Sequence, residues 1–229
     1  MHEPMAVVVD QVSVAHWQGY QRHDVVHNAS FTVVQGECFG LAGPSGSGKS
    51  SLLWALAGLN PHWSGAMTLL EQTIHPGWSF GPVLRRQVQM VFQDPYASLH
   101  PRHTLRKTLS DPLRLMGVSD VDDRLAQGAV QLGLPYYLLD NYPHQLSGGQ
   151  RQLMALLRTL LMRPRVLLLD DATSALDMLG QARVFNVLTR LRESDDLTMI
   201  LVSNDCNVME HMCDRVLWMQ DGRLQSHRT

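Results

Sequence analysis

An α/β core with parallel strands, interrupted by a helical insertion, is predicted by three observations. Short continuous apolar runs recur at Cys38–Ala42, Val166–Leu169 and Met199–Ser203, as expected of strands covered on both faces. Helix-period patterns separate those runs and cluster between residues 104 and 161, which marks an insertion rather than a regular alternation. The first run also enters a glycine-rich octapeptide, Gly43-Pro44-Ser45-Gly46-Ser47-Gly48-Lys49-Ser50, and a helical pattern leaves it. Strand, glycine loop and helix in that order fit G-x-x-x-x-G-K-[ST] in its expected context.

The 229 residues suit one large domain or a core with a subdomain. With 45% hydrophobic and 17% charged residues the chain can bury a substantial core, and a net charge of −2 gives no electrostatic case for nucleic acid. Cys38, Cys206 and Cys213 have no zinc-type spacing, so a reduced compartment is expected. No secretory leader and no membrane span are expected, since no apolar run approaches roughly 18 residues.

In chain order, Val7–Val9 and Val12–Val14 predict an opening strand that the polar stretch His16–Asp24 interrupts. Trp17 in that break reads either as a partly buried surface aromatic or as a platform for a nucleobase. His16, His23 and His27 lie close in sequence but form no recognisable ligand set. Phe31–Val34 resumes β character, and Gln35-Gly36 turns into the strand before the octapeptide. The helix after it carries Leu52, Leu56 and Leu59 on one face and is closed by Gly58 and Pro61. The pattern is then irregular to about Pro82, consistent with edge strands and loops. Val88–Phe92 reads as a strand that Gln93-Asp94-Pro95 leaves abruptly. Leu105, Leu109, Leu113 and Met116 share a helix face, and Asp120–Leu132 forms a second amphipathic segment. Ser147 is placed as N-cap of a helix bearing Leu153, Leu156, Leu157, Leu160 and Leu161, which Pro164 stops. The strand Val166–Leu169 delivers Asp170 and Asp171 to its C-terminal end, where open α/β sheets place their chemistry. A helix over 179–193 follows, then the strand Met199–Ser203, ending in Asn204 and Asp205. Arg215–Met219, Asp221-Gly222 and Leu224 predict a closing hairpin.

The octapeptide carries its own chemistry. Gly43, Gly46 and Gly48 let successive backbone N–H groups turn around an anion, and the helix N-terminus adds its dipole. Lys49 can reach the β and γ phosphates of a nucleoside triphosphate, and the Ser50 hydroxyl can bind Mg²⁺.

Five elements in order, GPSGSGKS, the Gln93 loop, LSGGQ at 146–150, VLLLD at 166–170 and SALD at 174–177, make the whole chain resemble the ATP-binding subunit of an ABC transporter. The stretch QDPYASLHPR at 93–102 is similar to its oligopeptide, dipeptide and nickel importer group; we expect a member without the C-terminal extension common among that group's larger members. The resemblance implies a P-loop NTPase (RecA-like) core over 1–93 and 163–229, with an N-terminal antiparallel β subdomain and an inserted α-helical subdomain over about 94–162. It implies ATP and Mg²⁺ as ligands. Gly43, Pro44, Ser45, Gly46, Ser47, Gly48, Lys49, Ser50 and Ser51 would hold phosphate, and Trp17 would stack the adenine. Ser50, Gln93 and Asp170 would serve the metal, with Gln93 also near the attacking water. Ser147, Gly148, Gly149 and Gln150 would close over the ATP of a second ATP-binding subunit packed head to tail, a heterodimer or a homodimer, with Asp177 at the seam. Transmembrane permease subunits, and through them a solute-binding protein, are the implied partners at the cytoplasmic face of the membrane; no nucleic acid is implied.

Two catalytic positions depart from the family pattern. Asp171 stands where glutamate is usual, withdrawing the carboxylate by on the order of 1.5 Å from a water it must reach. Asn204 stands where histidine is usual; it can donate a hydrogen bond but cannot become cationic. Either the ATPase is slow but working, or the site binds ATP well and hydrolyses it poorly; the paired change favours the second. A nucleotide-gated switch with little turnover and a non-transport ABC ATPase are the competing functions.

Overall fold

The structure, a computed structural model, describes residues 4–225. Two sheets carry it. A four-stranded antiparallel sheet has the order β2-β1-β4-β5, from β1 (Met5–Gln18), β2 (Gln21–Val34), β4 (Trp63–Leu69) and β5 (Gln72–Ile74). A six-stranded sheet has the order β10-β9-β3-β8-β7-β6, from β3 (Cys38–Ala42), β6 (Val88–Val91), β7 (Val166–Asp170), β8 (Thr198–Val202), β9 (Arg215–Gln220) and β10 (Arg223–Gln225). Its strands pair in parallel except for the β9–β10 hairpin.

The period of two in a strand explains how one sheet serves two cores. Along β7, Val166 and Leu168 join Phe39, Leu41, Ile200 and Val202 in a core shared with the antiparallel sheet and α1 (Lys49–Leu56). Leu167 and Leu169 face the other way, with Met199 and Leu201, into a core shared with the helices. Every residue of β3, β7 and β8 is buried, which is why these strands read as unbroken apolar runs. Between β6 and β7 lie α3 (Leu105–Leu115), α4 (Val121–Gln131) and α5 (Gly148–Leu160), preceded by the short α2 (Pro82–Gln87); α6 (Met178–Asp195) and α7 (Cys206–Met212) flank β8. Leu105, Leu109 and Leu113 are buried along α3.

Three readings of the sequence need correction, and one helix carries no sequence signal. The polar stretch His16–Asp24 does not interrupt a strand: β1 runs on through Gln18 and pairs with β2, with Gln18 opposite Gln21 across Gly19-Tyr20. Exposure explains the misreading, because Tyr20 is fully exposed and the hairpin tip has no buried face to impose alternation. Leu59 lies beyond α1 and is exposed, while Leu52 and Leu56 are buried as expected. The irregular stretch to Pro82 contains β4, an interior strand rather than an edge, and Pro82 opens α2 at its first position. Helix α7 was not read from the sequence. The predicted hairpin forms with Asp221 (φ 47°) and Gly222 (φ 74°) both in the left-handed region, as a two-residue type I′ turn requires.

Candidate functional site

The ends of β3, β7 and β8 converge on a cleft of about 300 Å³ lined by Ser45, Gly46, Gly48, Lys49, Ser50, Ser51, Gln93, Asp170, Asp171 and Asn204. Most of the residues singled out around the octapeptide and the strand ends are therefore brought together. Val25, Val202 and Ser203 complete the lining; no sequence signal pointed to Val25, which reaches the cleft only because β2 folds back across the loop.

The loop is held from behind. Gly48 (φ 103°) passes so close to β2 that a Cβ would sit 2.6 Å from the Val25 carbonyl, and a Cβ on Gly43 (φ 147°) would collide with the Met219 carbonyl. Only glycine fits these two positions. The Gly222 N–H donates to the Ser47 carbonyl at 3.0 Å and the His27 N–H donates to the Gly222 carbonyl at 2.8 Å, so the β9–β10 turn ties the loop to β2. Ser47 is buried and does not line the cleft.

Lys49 opens α1 and is almost wholly buried. Its Nζ donates to the carbonyls of Gly43 and Pro44, both at 2.8 Å, and to Ser47 Oγ at 3.3 Å. Burial pushes its pKa down, and the Asp170 and Asp171 carboxylates partly oppose that. Ser50 Oγ donates to Asp170 Oδ1 at 2.8 Å, bridging the loop and β7. Burial pushes the Asp170 carboxyl up; the Ser50 hydrogen bond counters this, the neighbouring Asp171 adds to it and Lys49 opposes it. Both ionisable groups thus lack full compensation, a state that a bound anion and cation together would relieve.

Asp171 occupies the left-handed region (φ 46°), which aspartate tolerates better than most side chains. Its N–H donates to the Val202 carbonyl at 2.9 Å, and its carbonyl accepts from the Ser174 hydroxyl at 3.1 Å. The backbone is pinned on both sides, while the carboxylate has no hydrogen-bond or ion-pair partner among the described residues and lines the cleft. Asn204 follows β8, exposed at the rim. Gln93 follows β6, also exposed. Its loop is braced by α5: Gln152 Nε2 donates to the Phe92 carbonyl at 3.4 Å, and the Arg151 guanidinium lies 4.7 Å over the Tyr96 ring.

Other singled-out residues lie outside the lining. Trp17 is half exposed near the end of β1, edge-on to His62 at 6.1 Å. Ser147, Gly148, Gly149 and Gln150 form the start of α5, the first two exposed and the last two half-buried. Asp177 caps α6, its Oδ1 accepting from the Gly180 N–H at 2.7 Å.

The sequence profile of the ABC transporter family matches residues 26–174, spanning the glycine loop, Gln93, the start of α5 and the acidic end of β7. The chain belongs to the ABC transporter family. Among curated relatives, the oligopeptide transport ATP-binding protein OppF of Salmonella typhimurium is 35% identical over 214 residues, covering 90% of this chain and 63% of the relative. The probable D,D-dipeptide transport ATP-binding protein DdpF of Escherichia coli is 38% identical over 213 residues, covering 91% and 65%. The chain therefore spans a little under two thirds of the length of these relatives. Among solved structures, the dimeric ATP-binding cassette MJ0796, bound to ADP and Pi, superposes with a TM-score of 0.86 at 26% identity, over 96% of this chain and 97% of that one. The α/β cassette fold, with its antiparallel and parallel sheets, is shared with these ABC proteins.

Proposed function

We propose that this chain binds MgATP in the cleft and hydrolyses it as the ATP-binding subunit of an ABC importer for peptides, nickel or related metal chelates. The observation that carries the reading is the Ser50–Asp170 pair at 2.8 Å beside buried Lys49. A hydroxyl and a carboxylate are hard oxygen donors suited to Mg²⁺, and Lys49 supplies the fixed cation for phosphate. Ser50, Asp170 and Gln93 would hold the metal, which supplies charge neutralisation to the transferred phosphoryl group. Asp171 would accept a proton from the attacking water, and Asn204 would donate to a phosphate oxygen. The names of the relatives support the choice of peptides.

The start of α5 lies outside the chain's own cleft, which supports head-to-tail pairing with a second ATP-binding subunit whose ATP it would cover. The loop after β6 would offer exposed Tyr96, and α3 exposed Leu115, to a permease at the cytoplasmic face of the membrane; a solute-binding protein would act only through that permease. No helix among the described residues is long and apolar enough to cross a membrane, so attachment would be peripheral.

A nucleotide-gated switch with little turnover is the second reading. It is favoured by the short carboxylate of Asp171, without a side-chain partner among the described residues, and by an asparagine rather than a histidine at 204 in the same cleft. Calorimetric titration with MgATP tests the cleft. Lys49→Ala removes a charge-assisted contact and should raise Kd roughly 10- to 150-fold; unchanged affinity would remove the assignment. Phosphate release in permease-containing vesicles then separates turnover from switching.

A further inference from the structure

His16, which belongs to no recognisable ligand set in the sequence, makes a contact that its neighbours enforce. Its Nε2 lies 2.8 Å from Ser51 Oγ, 35 residues away. The Ala15 N–H donates to the His62 carbonyl at 2.8 Å, and the buried Asn60 Nδ2 donates to the Ala15 carbonyl at 3.0 Å. Asn60 Oδ1 in turn accepts from the His62 N–H at 2.9 Å. This clamps β1 to the segment after α1 and sets His16 over the first turn of that helix. There its ring also stands edge-on to Trp54, centroids 6.1 Å apart at 86°.

Ser51 lines the cleft, and a hydroxyl carries one proton. If Ser51 donates to His16, it offers the cleft only lone pairs, which repel phosphate. If His16 Nε2–H donates to Ser51 Oγ, the hydroxyl proton is free to point at an anion. The geometry points to His16 as a positioning residue that, through an Nε2–H donor, turns the Ser51 hydroxyl toward nucleotide phosphate. This inference rests on the MgATP reading above.

A double-mutant cycle with His16→Ala and Ser51→Ala tests it, with Kd measured for MgATP and MgGTP. Each single change should raise Kd roughly three- to ten-fold, and the double variant should lose no more than the worse single. His16→Gln, which keeps a donor near the Nε2 position, should recover most of the affinity. His16→Phe, which keeps the edge contact with Trp54 but has no donor, should not, and it remains informative if His16→Ala folds poorly. Equal losses for both nucleotides place the effect at phosphate. Additive losses, no loss, or a loss confined to MgATP would overturn the inference. A wild-type chain that fails to bind MgATP overturns the cleft reading, and this inference with it; a chain that binds while the cycle is additive overturns this inference alone.

Discussion

Two helix N-termini in this molecule face opposite tasks, and their caps show it. Helix α1 is preceded by Gly48, which has no side chain to cap the first turn. Helix α5 begins with a closed capping box: Ser147 Oγ accepts from the Gln150 N–H at 3.2 Å, and Gln150 Oε1 accepts from the Ser147 N–H at 3.0 Å. The first end leaves its donors to an external anion. The second satisfies two donors internally and so can stand exposed in the separate chain. Its serine hydroxyl proton and the N–H groups of Gly148 and Gly149 are not used by the box, so it retains something to offer an anion brought by another subunit. One end leaves its first-turn donors open, and the other closes part of its own.

The largest test of that contrast is reciprocal. Ser147→Arg puts bulk and charge at the start of α5, outside the chain's own cleft. It should leave MgATP affinity of the isolated chain unchanged yet remove most hydrolysis by the assembled transporter. Asp171→Asn should lower turnover only modestly if a heterodimeric partner does most of the chemistry. Asparagine is well tolerated in the left-handed region that position 171 occupies (φ 46°), so the readout is chemical rather than structural. If both changes stop phosphate release equally, the chain's own cleft is catalytically essential and the asymmetric arrangement falls.

The difference between the two ends also shows what the sequence could reveal. Both stood out because each is a contiguous motif whose local geometry follows from glycine, serine and lysine spacing. The buried strands were legible for a related reason: burial on both faces leaves continuous apolar runs at Val166–Leu169 and Met199–Val202. The β1–β2 hairpin was not, because its tip is exposed and its pairing depends on residues such as Gln18 and Gln21 meeting across Gly19-Tyr20. Helix α7 has only seven residues, of which Val208, Met209 and Met212 are buried, too few to establish a period. The His16–Ser51 contact needs β1, α1 and the Asn60 clamp together, so nothing local announces it.

A smaller effect separates the ends by charge. Asp170 is buried and its carboxyl is pushed up by that burial, whereas no ionisable side chain lies within Ser147–Gln150. The folded state therefore holds the Asp170 proton more tightly than the unfolded chain does, so ionisation destabilises the fold as pH rises above the unfolded value. Asp170→Asn should raise the Tm of the nucleotide-free chain at neutral pH, because it removes the cost of burying the ionised carboxylate. The gain should shrink as pH falls toward and below the ordinary aspartate range, while Mg²⁺-dependent ATP binding is lost at every pH. A variant that melts lower at neutral pH would show that Lys49 and the charge-assisted Ser50 hydrogen bond together outweigh desolvation of the carboxylate.

The smallest expected change is at the other end. Gln150→Ala removes the side-chain acceptor for the Ser147 N–H but keeps Ser147 Oγ bonded to the backbone N–H of residue 150. Half of the capping box survives, so the cost belongs at the low end of a cap's worth, about 0.5–1 kcal/mol, or a Tm fall of roughly 1–4 °C. The exposed position lets water replace the lost acceptor, which limits the penalty further. The cleft lies elsewhere, so MgATP affinity of the isolated chain should not move. In the assembled transporter the variant should hydrolyse far better than Ser147→Arg, because the serine hydroxyl and both glycine N–H groups remain. Melting and titration of the isolated chain check the first two expectations, and phosphate release checks the third. Loss of MgATP affinity in the isolated variant would mean that the start of α5 communicates with its own chain's cleft, through the Gln152 and Arg151 contacts to the Gln93 loop, and that the two helix ends are not independent.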